Sequence, residues 1–174
     1  MEFRKLGIVG GGTMGKCLAE KAASVGIDVV VVEVSPEKAE RAREELVAAL
    51  DRELEKWGIT ASAKKVVLAR VRFTADLGEL AAADAVVEMV TEDLGVKRKV
   101  MMQLGELCPP DRIFVTNTST LSVTEIAAAS GRPDRVLGMH FMRPITRTPV
   151  VEMVRGTATS DATYEHALAL AHAL

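Results

Sequence analysis

The chain has 174 residues, of which 48% are hydrophobic, 26% charged and only 3% aromatic, and its formal net charge is −2. That balance describes a globular chain long enough to bury roughly 70% of its unfolded surface, with no bulk attraction for nucleic acid or anionic lipid. The two cysteines, Cys17 and Cys108, are far apart and form no C-x-x-C, so they read as buried small apolar residues in a reducing compartment, and no metal site is expected. Met1-Glu2-Phe3-Arg4-Lys5 has no signal-peptide pattern, and no apolar run reaches the ~18 residues of a membrane span. The expected location is the cytoplasm.

In chain order, Lys5–Gly10 reads as a buried strand and Thr13–Val25 as the helix after it, joined by Gly10-Gly11-Gly12-Thr13-Met14-Gly15. Gly10, Gly12 and Gly15 have the G-x-G-x-x-G spacing. Each glycine has a mechanical role in a strand-turn-helix that binds a dinucleotide: a tight turn, close backbone approach to a pyrophosphate, and close helix–strand packing. The helix that follows points free N–H groups and its positive end at the phosphates. A second strand, Asp28–Glu33, is apolar on both faces, as parallel strands are. Glu33 ends it, 18 residues beyond Gly15, where a carboxylate accepts hydrogen bonds from a ribose. A strand-end acid can also be simply solvated, but after a glycine turn the ribose role is favoured. A carboxylate there repels a 2′-phosphate, which favours NAD over NADP, while Lys38 and Arg41 lie close in sequence.

Ser35 with Pro36 starts a long helix to about Trp57, stopped by Gly58, and Thr60 caps a shorter helix through about Ala69. Together they predict a helical hairpin inserted after the second strand, with its charges on a solvated face. Further strands are expected at Val71–Thr74, Asp84–Val90, Arg112–Thr116, Arg135–His140 and Val150–Val154. Helices are expected after Thr91-Glu92-Asp93 to about Leu107, over about Val123–Ala129, and from a cap at Thr159, Ser160 and Asp161 to Leu174. The alternation predicts an α/β fold with a doubly wound, mostly parallel sheet of the Rossmann type, spanning 1–174 as one domain.

In such a sheet ligands sit beyond the carboxyl ends of the strands. Glu33, Glu92, Asn117, Ser119 and His140 all follow apolar strand segments, so an acid, an amide, a hydroxyl and an imidazole converge there. His140 can take and return a proton near neutral pH. Glu152, 12 residues on, would return beside it if the next strand doubles back. A carboxylate there fixes the imidazole tautomer and stabilises the imidazolium. On spacing alone, an ordinary strand-end histidine with a surface acid is an equal reading.

The chain resembles the L-3-hydroxyacyl-CoA dehydrogenase family, specifically its N-terminal NAD-binding domain. The resemblance is carried by Gly10-Gly11-Gly12-Thr13-Met14-Gly15, by Val87-Glu88-Met89-Val90-Thr91-Glu92-Asp93-Leu94, by Asn117-Thr118-Ser119, and by Gly138-Met139-His140-Phe141 with Pro144. Val151-Glu152 and Gly156 fit the same pattern, and the match covers essentially the whole chain in the family's order. The resemblance implies hydride transfer from the 3-hydroxyl carbon of an (S)-3-hydroxyacyl-CoA to NAD, a step of fatty acid metabolism. It implies that His140 is the general base, Glu152 its partner, and Ser119 a hydrogen-bond donor to the substrate oxygen. Asn117 would lie beside substrate and cofactor. Gly10, Gly12, Thr13, Met14, Gly15, Glu33, Glu92 and Lys97 would hold NAD, and Lys56 would meet the CoA phosphates.

The chain departs from the family pattern in places. Phe141-Met142-Arg143-Pro144 stands where the family usually has Phe-Phe-Asn-Pro, so a fixed cation replaces a neutral amide. Arg143 could attract a substrate phosphate or carboxylate, which keeps a dehydrogenase of another small 3-hydroxy acid as an alternative. Glu33 replaces the usual Asp, and Thr120 the second serine of Asn-Thr-Ser-Ser. The family follows this domain with a helical domain that supplies homodimer contacts and part of the acyl pocket. The chain stops at Leu174, so a truncated piece that binds NAD and turns over poorly is expected. A non-catalytic NAD-binding module is the other reading.

Overall fold

Runs such as Val29-Val30-Val31-Val32 form strands because β-branched side chains lose little freedom on a pleated surface, and here both faces are covered. The structure is a computed structural model that describes residues 3–174; Met1 and Glu2 of the N-terminal segment lie outside the described residues. The strands are β1 (Lys5–Val9), β2 (Asp28–Val32), β3 (Val71–Thr74), β4 (Ala85–Glu88), β5 (Ile113–Thr116), β6 (Val136–Phe141) and β7 (Val151–Arg155). They form one seven-stranded sheet in the order β3-β2-β1-β4-β5-β6-β7. Every neighbouring pair is parallel except β6–β7, which is antiparallel.

Side-chain alternation divides the core into two layers. Leu6, Ile8, Val29, Val31, Val87, Val115 and Leu137 face one side, where helices α1 (Thr13–Ser24), α2 (Pro36–Glu55), α3 (Ala61–Arg70) and α6 (Asp161–Ala173) cover them. Val9, Val30, Val32, Val86, Phe114 and Val136 face the other, beneath α4 (Leu94–Leu107), α5 (Val123–Ala128) and a 3-10 turn at Leu77–Ala82. The chain is thus doubly wound, and strand order reverses between β1 and β4. A crevice opens at that switch point beyond the carboxyl ends of the strands. Among the described residues no helix is long and apolar enough to cross a membrane.

Two helices fill the β2–β3 connection. α2 starts as expected, with Ser35 accepting from the Lys38 amide and Pro36 in its first turn. Thr60 caps α3 in the same way, accepting from the Ala63 amide. The end of α2 differs from the sequence reading. The left-handed residue is Trp57 (φ 58°), not Gly58. Trp57 N–H donates to Leu54 O at 3.1 Å and Gly58 N–H to Glu53 O at 2.8 Å. This is a Schellman closure with tryptophan in the place that glycine usually takes. Cys17 is half-buried rather than buried, whereas Cys108 is buried; burial pushes both thiols up. The 3-10 turn at Leu77–Ala82 has only a weak local signal, an Asp76 side chain accepting from Gly78 N–H at 2.8 Å.

Candidate active site at the carboxyl edge of the sheet

The glycine turn leaves β1 at the switch point. Gly10 has φ 103°, and its N–H donates to Val32 O at 2.9 Å. A β-carbon on Gly15 would lie 1.9 Å from the Gly10 carbonyl oxygen, so only glycine lets α1 sit this close to the turn. α1 has Gly12 at its N-cap, no side-chain cap and no acid in its first turn. Its free N–H groups and positive end are therefore available to an anion. Thr13 is exposed beside them, whereas Met14 is half-buried and packs against the core.

Next to the turn is a recess of 200 Å³ lined by Gly11, Gly12, Lys16, Glu33, Lys38, Arg41, Ala42 and Glu45. Glu33 accepts from Gly11 N–H at 2.6 Å and from Val34 N–H at 3.1 Å, which fixes its carboxylate in the recess. Glu45 accepts from Lys16 and from Arg41, so both cations are partly neutralised there. Unsatisfied helix N–H groups beside an anchored carboxylate fit a pyrophosphate with a ribose attached.

Across the crevice, β4 ends in Glu88, which is 0% exposed, and Lys97 on α4 is 1% exposed. Lys97 Nζ donates to Glu88 Oε1 at 2.8 Å and to Val90 O at 3.4 Å, and stands 3.3 Å from Glu92 Oε2. Glu88 also accepts from Val90 N–H at 2.8 Å and from the Thr116 hydroxyl at 2.7 Å. A buried ion pair is tolerated when its remaining hydrogen-bonding capacity is met in this way. Lys97 therefore stands behind the wall of the crevice rather than on it. Glu92 is on the wall. Its Oε1 accepts from the Thr118 hydroxyl, from Ser119 N–H at 2.9 Å and from Thr120 N–H at 3.1 Å. Partial burial alone would raise this carboxyl, but those bonds and the Lys97 charge outweigh it and hold it at about 2.

β6 and β7 bring the chemistry together. The antiparallel register places His140 opposite Glu152, and His140 Nδ1 lies 2.9 Å from Glu152 Oε2. Ser119 Oγ lies 3.2 Å from His140 Nε2. An ionised carboxylate only accepts, so a hydrogen bond to ionised Glu152 requires the proton on Nδ1, and in the neutral tautomer Nε2 is then the acceptor that faces Ser119. Asn117 Oδ1 accepts from Phe141 N–H at 3.0 Å, which ties the Ser119 loop to the His140 strand. No hydrogen bond joins Lys56 to this cluster among the described residues. Lys56 is exposed at the end of α2, one turn beyond Glu53, which accepts from Arg147 at 3.0 Å and so links α2 to the loop after β6. Arg143 is exposed on that same loop. The sequence reading did not find the parts played by Glu88, Thr116 and Thr118. The only available signal was an acid closing the apolar run Ala85-Val86-Val87-Glu88.

A glycine turn feeding a cap-free helix at the switch point of a parallel sheet, with a fixed acid at the end of the next strand, defines a dinucleotide-binding domain of the Rossmann class. Comparison with known proteins narrows this. The family described as "3-hydroxyacyl-CoA dehydrogenase, NAD binding domain" matches residues 5–174. The chain belongs to this family and is an NAD-binding domain. It is 40% identical over 171 residues to a probable 3-hydroxybutyryl-CoA dehydrogenase of Bacillus subtilis, covering 98% of this chain and 60% of that protein. It is 39% identical over 160 residues to the 3-hydroxyadipyl-CoA dehydrogenase of Escherichia coli, covering 92% of this chain and 34% of that one. The crystal structure of a Ralstonia eutropha (S)-3-hydroxybutyryl-CoA dehydrogenase superposes with a TM-score of 0.93 at 36% identity, covering 99% of this chain and 61% of that one. The chain thus spans less than two thirds of the length of each of these relatives.

Proposed function

We propose that the domain serves a dehydrogenase that oxidises the 3-hydroxyl of an (S)-3-hydroxyacyl-CoA. The observation that carries this reading is the chain of contacts from Ser119 through His140 to Glu152. The Ser119 hydroxyl positions the substrate oxygen at His140 Nε2. The proton of the 3-hydroxyl passes to that nitrogen, and Glu152 stabilises the imidazolium that forms. NAD, when bound, supplies the acceptor for the hydrogen that leaves the same carbon as hydride, and the carbon–oxygen bond becomes a carbonyl.

The α1 N-terminus with Gly10, Gly12, Thr13 and Gly15 binds the pyrophosphate, and Glu33 the adenosine ribose. Met14 packs behind the turn. Glu92 and Asn117 shape the nicotinamide side. Lys56 faces the CoA phosphates from the end of α2, opposite the loop after β6. The acyl-CoA class is supported by the names of the relatives. The length by which they exceed this chain leaves room for the helical domain and homodimer contacts that the sequence resemblance implies, and a cytoplasmic location belongs to the same reading.

Arg143 favours a second reading, a dehydrogenase of a small free 3-hydroxy acid, because an exposed cation sits three residues after His140. NADH formation by the complete protein with (S)-3-hydroxyacyl-CoA esters and with the matching free acids separates the two. Turnover confined to the esters supports the first reading, and turnover confined to the free acids replaces it with the second. No turnover on either leaves a cofactor-binding module and overturns both.

A further inference from the structure

We propose that Trp57 is a specificity-determining residue that stacks on the purine of the substrate's coenzyme A, beside the phosphates that Lys56 faces. The inference rests on the acyl-CoA reading and deepens it, because it names the residue that reads the nucleotide end of the substrate.

Trp57 does little for the fold. Its side chain is 94% exposed, so its burial contributes almost nothing. A lone exposed apolar side chain is ordinary, but a bulky one on a left-handed backbone, φ 58°, is an outlier. Glycine would carry that conformation without strain, and glycine stands one residue later. It is required there for another reason. A β-carbon on Gly58 would lie 2.5 Å from Glu53 Oε2 and 3.2 Å from Glu53 O, and the same Oε2 accepts from Arg147 at 3.0 Å. The ion pair that ties α2 to the loop after β6 thus fixes glycine at 58 and leaves the left-handed position to Trp57. Residues held in such conformations cluster at functional sites. The ring also stands on a fixed base: the Trp57 and Gly58 N–H groups are bonded to Leu54 O and Glu53 O, and Ile59 packs against the core.

The turn lies on the side of the sheet where the chemistry is. Arg70, the last residue of α3, reaches Asp28 at the start of β2 at 2.6 Å, so that end of α3 is at the amino edge. α3 packs along α1 and β3, and its 10 residues rise about 15 Å. Thr60 and the turn before it are therefore carried to the carboxyl edge, where Glu53 meets Arg147. The adenine of NAD is not a candidate for this ring. The recess at Glu33 includes Ala42 of α2, and from Ala42 to Trp57 the helix advances about 22 Å. A coenzyme A ester, in contrast, carries its adenosine phosphates at the far end of a long pantetheine arm from the reacting carbon. An open indole face with an exposed ammonium beside it matches a purine and the phosphates attached to it.

The chain contains one tryptophan, so its indole fluorescence reports Trp57 alone. With NAD saturating, coenzyme A and adenosine 3′,5′-bisphosphate should each quench that fluorescence to a plateau, and pantetheine, which has no purine, should not. Trp57→Gly removes the ring while relieving the turn, so loss of the ring is separated from loss of the fold. In the complete protein it should raise KM for an (S)-3-hydroxyacyl-CoA about 5-fold or more with kcat within about 2-fold. KM for the matching pantetheine thioester should stay within about 2-fold, whereas a purely structural role would move both esters together. Trp57→Phe, which keeps a ring to stack on, should fall between the parent and Trp57→Gly. Equal KM changes for the two esters, or coenzyme A that binds by calorimetry without quenching the indole, overturns the proposal and leaves the acyl-CoA reading standing. If coenzyme A does not bind and only free acids are turned over, both fall.

Discussion

Glu92→Gln removes the charge that gathers the Ser119 loop, and its effect can be sized from the structure. The Glu92 carboxyl is held at about 2, below its ordinary 4.5. Taken whole, that difference is a ceiling of about 3 kcal/mol in favour of the ionised folded state. The side chain is 38% exposed, so solvent screening reduces the usable part to about 1–2 kcal/mol. The sign follows from the direction of the shift. A carboxyl whose folded value is depressed contributes fully above its unfolded value and loses its contribution as pH falls through the folded value. Glu92 therefore stabilises fully above about pH 5 and progressively less between pH 4.5 and 2. For a chain of this size, 1–2 kcal/mol is about 2–8 °C in Tm. Thermal melts of the parent and Glu92→Gln at pH 7, 4 and 3 should show the variant lower by that amount at pH 7, with the gap narrowing at each step down. A gap as wide at pH 3 as at pH 7, or none at pH 7, would refute the linkage between the Glu92 charge and the loop.

The other predictions concern the turn and the crossover. Gly15→Ala puts a methyl 1.9 Å from the Gly10 carbonyl and must push α1 off the turn; calorimetry should find NAD affinity at least about 10-fold weaker, with Tm also lowered. Parent-like affinity would mean that the turn is not the cofactor site. Glu33→Ser removes the carboxylate proposed to accept from ribose hydroxyls and to repel a 2′-phosphate, while Lys38 and Arg41 still line the recess. NAD should bind about 10-fold more weakly and NADP more tightly; preserved NAD selectivity would remove Glu33 from that role. Trp57→Gly relieves the left-handed backbone at a side chain that is 94% exposed and buries little. Net of glycine's extra chain entropy, it should stabilise by about 0.5–1 kcal/mol, read as a rise in Tm. A fall would show that Trp57 contributes contacts beyond its backbone.

Much of the fold could be read from local pattern because its strands are buried on both faces. Val29–Val32 and Ile113–Val115 are continuous apolar runs, and such runs have few alternatives in an alternating chain. The pairing of His140 with Glu152 was legible too, since a 12-residue separation returns naturally across an antiparallel pair, and the register confirms that geometry. The chemical role of that pair is what remains proposed. What escaped the sequence depends on side-chain direction in three dimensions. Lys97 is a cofactor-holding residue by resemblance, and what the sequence does not reveal is that its place on the inner face of α4 also directs it to Glu88. An acid closing an apolar strand gives no sign that it carries a buried ion pair. Trp57 escaped for a different reason: the preference of glycine for the left-handed region is a statistical one, and here the helix ended one residue earlier than Gly58 would have placed it.

The measurement closest to the centre of the account is turnover of His140→Gln in the complete protein with an (S)-3-hydroxyacyl-CoA and NAD. Gln keeps a polar side chain of similar reach but has no base at Nε2 and no imidazolium for Glu152 to stabilise. The account predicts kcat lowered by at least about 100-fold with NAD affinity within about 3-fold of the parent. Near-normal turnover would contradict it.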